Sequence, residues 1–181
     1  MSRALLIAIL AVALHGCDRQ SSPPPQEAAS ARTAATPKLP ADALRALERY
    51  EEQAREYLVA LDGGETVAEL DAYAEELVAT SAEVLPAFLE LKPRCRAYLE
   101  SALALRERWQ DLDAAAIEAG YHKDGALPAV DDAAACYHMK DLIVHPITAR
   151  ALLREAPDQR AAARREIEEV LAHIGVVRAT T

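Results

Sequence analysis

Residues 41–64 read ADALRALERYEEQAREYLVALDGG, and this stretch decides the fold class. Leu44, Leu47, Ala54, Leu58 and Leu61 recur at three and four residues, with Tyr50 and Tyr57 widening the apolar stripe. That period puts them on one face of an α-helix, whereas a half-buried strand would alternate every second residue. Asp42 is the expected N-cap, and Gly63-Gly64 supplies the stop. The expected fold class is all-α.

The same reading extends down the chain. Thr66-Val67-Ala68-Glu69 has the pattern of a capping box opening a second helix. Its apolar face is Val67, Leu70, Ala74, Leu77, Val78, Leu85, Phe88 and Leu89, and Pro86 inside it predicts a kink or a restart near Thr80-Ser81. Pro93 fits the first turn of a third helix, with Cys95, Tyr98, Leu99, Ala102, Leu105, Trp109 and Leu112 inward and Gly120 ending it. Residues 120–131 carry Gly, Gly and Pro without periodicity and read as a long crossover. A fourth helix runs from about Asp132 to Val144, meets Pro146, and continues or restarts to Glu155. Pro157 then opens a last helix, with Ile167, Val170, Leu171 and Ile174 as its stripe before Gly175. A bundle of four to five helices over residues 41–181 is expected.

Composition agrees. The 181 residues suffice for one domain with a real core, at 51% hydrophobic and 27% charged. Aromatics at 4% and only 6 glycines argue against a sandwich or barrel rich in tight turns. A net charge of −9 offers no basic surface to displace counterions from phosphates, so nucleic acid is not an expected partner.

The first 40 residues read differently. Met1-Ser2-Arg3 is followed by Ala4 to Leu14 without a polar residue, a run too short to cross a bilayer as a helix but suited to the apolar region of a secretory signal. It ends in Leu14-His15-Gly16-Cys17, which resembles the lipobox of bacterial lipoproteins. The resemblance covers residues 1–17 and implies that 1–16 are removed as a signal peptide. It implies further that Cys17 receives a diacylglycerol on its thiol and an acyl chain such as palmitate on its amine. The expected location is the cell envelope, anchored in the lipid bilayer through Cys17 and facing the periplasm. Asp18, by resemblance to enterobacterial lipoproteins, favours the inner membrane. Residues 17–40 hold half of the ten prolines among small polar residues, and are expected to form a disordered tether.

Two further cysteines, Cys95 and Cys136, remain in the domain. An even pair in an exported chain predicts a disulfide, the alternative being two buried thiols. The bridge has a geometric consequence. A continuous helix from Cys95 to Gly120 would rise roughly 37 Å at ~1.5 Å per residue, yet Cys136 must come back to within about 7 Å of Cys95. Residues Tyr121 to Asp131 are therefore expected to run back along the bundle, so that the fourth helix starts beside the beginning of the third and parallel to it.

Chemistry has few places to reside. There is no G-x-S-x-G elbow, no Gly-rich phosphate loop and no H-E-x-x-H, so no enzyme class is indicated. Adjacent acidic pairs such as Glu51-Glu52, Glu75-Glu76 and Glu168-Glu169 read as solvated helix faces. Haem has no Cys-x-x-Cys-His, and nothing in the spacing of His138, His145, His173 or Met139 selects axial ligation. What stands out is His122, His138 and His145 within one stretch, with Asp141 between the last two. His138 and His145 are two turns apart on one helix face, about 10.5 Å at ~1.5 Å per residue. A kink before Pro146, or His122 arriving on the crossover, could complete a zinc or copper site with Asp141 as ligand or supporting partner. Two roles follow: a non-catalytic binding domain for an envelope protein or similar partner, or a metal-binding domain centred on these residues. Histidines that merely hydrogen-bond along a helical surface account for the same pattern.

Overall fold

The computed structural model describes residues 38–131 and 133–181, and the expected signal peptide, Cys17, Asp18 and nearly all of the tether lie outside them. Four long helices build the bundle: α1 (Ala41–Gly63), α2 (Val67–Leu91), α6 (Ala133–Glu155) and α7 (Arg160–Thr180). Between α2 and α6 lies an arm of shorter pieces, α3 (Arg96–Leu103), α4 (Leu105–Arg108) and α5 (Ala114–Ile117), followed by a single π-helical turn, Glu118–His122. None of the described helices is long and apolar enough to cross a membrane.

The local signals act largely as expected. Gly64 takes φ 79° and its N–H returns to the Ala60 carbonyl, a left-handed stop that a side chain would strain. Thr66 and Glu69 form the capping box: the Thr66 hydroxyl accepts from the Glu69 N–H at 3.3 Å, and the Glu69 carboxylate accepts from the Thr66 N–H at 2.8 Å. Asp42 is not the cap. Pro40 occupies that position without a side-chain bond, and Asp42 lies in the first turn, where its charge still complements the helix dipole. Leu44 is exposed, and the buried stripe of α1 runs instead through Ala43, Ala46, Leu47, Tyr50, Ala54, Tyr57, Ala60 and Leu61. Pro157 belongs to the turn before α7, which begins at Arg160.

The long helices run up, down, up and down. Arg49 pairs with Glu83 and Thr80 donates to Gln53 between α1 and α2. Arg150 pairs with Asp71 between α6 and α2, and Arg164 with Asp62 between α7 and α1. Neither proline breaks its helix, since α2 is continuous through Pro86 and α6 through Pro146. At Pro146 the reason is visible. The proline lacks the N–H that would bond the Leu142 carbonyl, and the buried Tyr50 hydroxyl donates to that oxygen instead, at 2.5 Å.

Cys95 and Cys136 are bridged, with Cα atoms 5.3 Å apart. At the other end of α6, the Arg154 guanidinium donates to the carbonyls of Gln110 (2.9 Å) and Leu112, and Glu155 accepts from the Ala114 N–H at 2.5 Å. The leg 95–112 therefore rises parallel to α6, as the bridge required. The return differs from expectation. The third helix does not persist to Gly120: it ends at Trp109–Asp111 in a tight 3-10 turn. Asp113 caps a new start by accepting from the Ala116 N–H at 2.7 Å, and the descent begins at Ala114 in helical form. Trp109 is held beneath Arg150 and Arg154, whose guanidinium carbons sit 4.3 and 5.0 Å from its ring centre. That anchorage overrides the helix propensity of the flanking residues.

This layout makes α6 the central element, packed by α2, α7 and the arm. Every residue from Met139 to Ala151 is buried, as expected for a helix covered on all sides. Lys140, Asp141, His145, Thr148 and Arg150 are buried with the rest.

Candidate metal centre

Buried polar side chains require partners, and following those of α6 leads to one cluster. Lys140 is fully buried and reaches into the arm. Its ammonium donates to the His122 carbonyl at 2.7 Å and to Asp124 Oδ1 at 3.0 Å, and lies 4.1 Å above the Tyr137 ring. Asp124 also accepts from the Tyr98 hydroxyl at 2.7 Å, from a backbone in the left-handed region at φ 61°. Gly125 closes the turn: its N–H bonds the Ala119 carbonyl at 3.1 Å, and a Cβ there would stand 2.6 Å from that oxygen. These contacts fix the π turn, and with it His122, against the side of α6.

All four histidines of the domain meet there. The His122 and His145 rings are 4.8 Å apart between centres, His145 and His173 are 5.2 Å apart, and His138 and His173 are 4.9 Å apart. His122 Nδ1 lies 2.7 Å from Glu118 and His145 Nδ1 lies 2.7 Å from Glu166. In each case Nδ1–H donates to the carboxylate, so the neutral ring would offer its lone pair at Nε2; that of His122 lies 3.3 Å from the Tyr137 hydroxyl. This is how a carboxylate orients a metal-binding histidine. His138 and His173 approach through their Nδ1 atoms at 2.7 Å, so one donates and the other accepts.

The remaining donors lack partners. His145 Nε2 and both oxygens of Asp141 are buried without a hydrogen bond of good geometry. Lys140 Nζ is 3.1 Å from Asp141 Oδ1 and pairs with its charge, while its hydrogen bonds go to the His122 carbonyl and Asp124. His145 Nε2 faces Glu169 Oε2 at 3.5 Å, and His173 Nε2 faces Asp141 Oδ2 at 3.5 Å. Each of these contacts needs a positive centre between the two atoms, a proton or a metal ion.

The protonation equilibria carry the same strain. Burial pushes the Asp141 carboxyl above its ordinary range, although Lys140 and His145 pull it down. Burial also disfavours a charged His145, but the Glu166 hydrogen bond and the charges of Asp141, Glu166 and Glu169 outweigh it and raise that imidazole. Burial, then the positive potential of His145, His138, His122 and Lys140, lowers His173 to about 4 and keeps it neutral. Tyr137 is pushed up to about 12, first by burial and then by the Asp141 charge.

Two trios of donors have their ligand atoms within 4.8 Å of one another: His122, Asp141 and His145, and then His145, Glu169 and His173. A tetrahedral ion with bonds of ~2.1 Å holds its donors ~3.4 Å apart, so about an ångström of side-chain adjustment closes either one. Of the four residues expected from sequence, the structure brings His122, Asp141 and His145 together and sets His138 against His173. His173 and Glu169 were not foreseen as members of the cluster. Their signal is the spacing Glu169-x-x-x-His173 on α7, which repeats Asp141-x-x-x-His145 on α6. Glu168 does point to solvent, paired with Arg164 at 2.9 Å, but its neighbour turns about 100° around the helix toward the histidines. Neither family models, curated proteins nor solved structures match this chain.

Proposed function

We propose that the chain is a lipid-anchored envelope protein whose helical domain binds a divalent transition-metal ion between His122, Asp141 and His145. The observation that carries this reading is that the buried His145 Nε2 and both buried Asp141 oxygens make no hydrogen bond, and that these residues and His122 bring ligand atoms within 4.8 Å of one another. Charge balance supports it. Glu118, Asp124, Asp141, Glu166 and Glu169 surround the histidines, against the ammonium groups of Lys123 and Lys140. Imidazole and carboxylate donors without a thiolate favour Zn(II) or Cu(II) over soft Cu(I), and the two domain cysteines are joined to each other. Acyl chains on Cys17 would hold the domain at the bilayer, facing the periplasm, and two or three chains anchor where one does not. The role is binding, with the ion or an envelope partner that exchanges it as the ligand.

The test is metal content of the full chain, purified without a His-tag and with its disulfide intact. Zinc or copper near one equivalent is expected, lost in His145→Ala and in Asp141→Asn. His122→Gln, on the partly exposed arm, reports on the same site with less risk to the core. A folded wild-type protein that is empty and takes up neither ion on titration overturns the proposal.

A further inference from the structure

The two donor trios share His145, and that sharing says how an ion reaches a largely buried site. Asp141 and His145 are 0% and 1% exposed, and of the inner trio only His122 reaches the surface, at 23%. The other trio opens outward, with Glu169 54% and His173 13% exposed. His145 has one lone pair to give, because its Nδ1 proton is committed to Glu166 at 2.7 Å. One lone pair serves one ion, so the trios are alternative positions for a single ion and not two independent sites.

We infer that His145, Glu169 and His173 form an outer receiving station, from which a divalent transition-metal ion passes to His122 and Asp141 while staying on His145 Nε2. The inference rests on the metal-binding reading above. Antiparallel α6 and α7 each present a carboxylate and an imidazole four residues apart, one turn, on facing sides. The donors thus form a ladder from the surface inward. Adjacent rungs are already at ligand spacing: His145 Nε2 to Glu169 Oε2 is 3.5 Å, and His173 Nε2 to Asp141 Oδ2 is 3.5 Å. The step is ligand substitution. Bonds from the ion to Glu169 and His173 break as bonds to Asp141 and His122 form. His145 releases its Nε2 proton to solvent as the ion first binds; during the transfer the imidazoles are neutral, no electron moves, and the +2 charge stays on the ion.

The test uses Co(II) as the probe, mixed by stopped flow with the full chain after chelator stripping and followed by its visible absorption. One equivalent is expected. Glu169→Gln, at an exposed position that does not threaten folding, should slow association about tenfold or more, the scale on which a charged cleft speeds ion capture. It should slow release to a similar degree, so that the equilibrium affinity changes far less than either rate. Asp141→Asn should instead weaken affinity about 10–100-fold while association stays fast. Two equivalents, or a Glu169→Gln protein with unchanged association, overturns the receiving station and leaves the inner site standing. No uptake at all removes both.

Discussion

Tyr50 and Pro146 illustrate how one residue in this core depends on another far away in sequence. Pro146 leaves the Leu142 carbonyl without its helical donor, in the middle of a helix that water does not reach. The Tyr50 hydroxyl from α1 supplies the missing bond at 2.5 Å, and is itself fully buried. Burial, with the Asp141 charge second, holds that phenol well above its ordinary range, so it is always a donor. Tyr50→Phe should therefore cost about 1–3 kcal/mol, the penalty for a buried carbonyl left unpaired. In a Pro146→Ala background the new N–H bonds Leu142 directly, and Tyr50→Phe should cost markedly less. Urea denaturation of the four proteins closes the double-mutant cycle. Equal cost in both backgrounds would show that the hydroxyl matters for something other than this carbonyl.

Among the elements, the arm between α2 and α6 departs furthest from what local sequence indicates. Ala, Leu, Glu and Arg predominate from Arg96 to Ala119, and by propensity alone they read as one helix. The fold-back at residues 109–113 depends on Arg150, Arg154 and Glu155, which are some forty residues away in sequence. No local pattern could show that. The pairing of Cys95 with Cys136 was legible, and it carried the direction of α6 correctly, because a length constraint survives an error in the shape of the return path. The bridge also ties down the start of α6, next to Tyr137 and His138. It spans 41 residues of sequence, and the chain-entropy model makes such a loop worth about 4 kcal/mol. The double variant Cys95→Ser with Cys136→Ser should lose stability of that order in chemical denaturation. A loss below about 1 kcal/mol would mean that packing of the arm on α6 constrains the chain without the bridge.

At the scale of the molecule, residue patterns alone reveal little about which helix is central. Lys140, Asp141, His145 and Arg150 lend α6 the look of a half-solvated helix, yet all four are buried, and Lys140, His145 and Arg150 draw their hydrogen-bond partners from three other elements. The centre was half legible for the same reason: its residue types were visible, but the facing donors on α7 looked like a solvated acidic edge. Arg150 shows how such charges join the whole. It donates to Asp71 at 2.7 and 3.0 Å and pairs with Glu75, while Arg106 of the arm donates to Glu75 at 2.6 and 2.9 Å. Glu75 thereby clamps α2, α4 and α6 together. Burial would raise its carboxyl, but the hydrogen bonds from Arg106 and Arg150, with their charges, hold it below its ordinary value of 4.5. A group depressed on folding stabilises fully above its unfolded value and loses that contribution as pH falls through its folded one. The stability difference between the wild type and Glu75→Gln should accordingly be constant from about pH 8 to about pH 6 and shrink below about pH 4.5. Urea midpoints measured across that range decide it: a difference that persists unchanged at about pH 3 would place the role of Glu75 in packing, not in its charge.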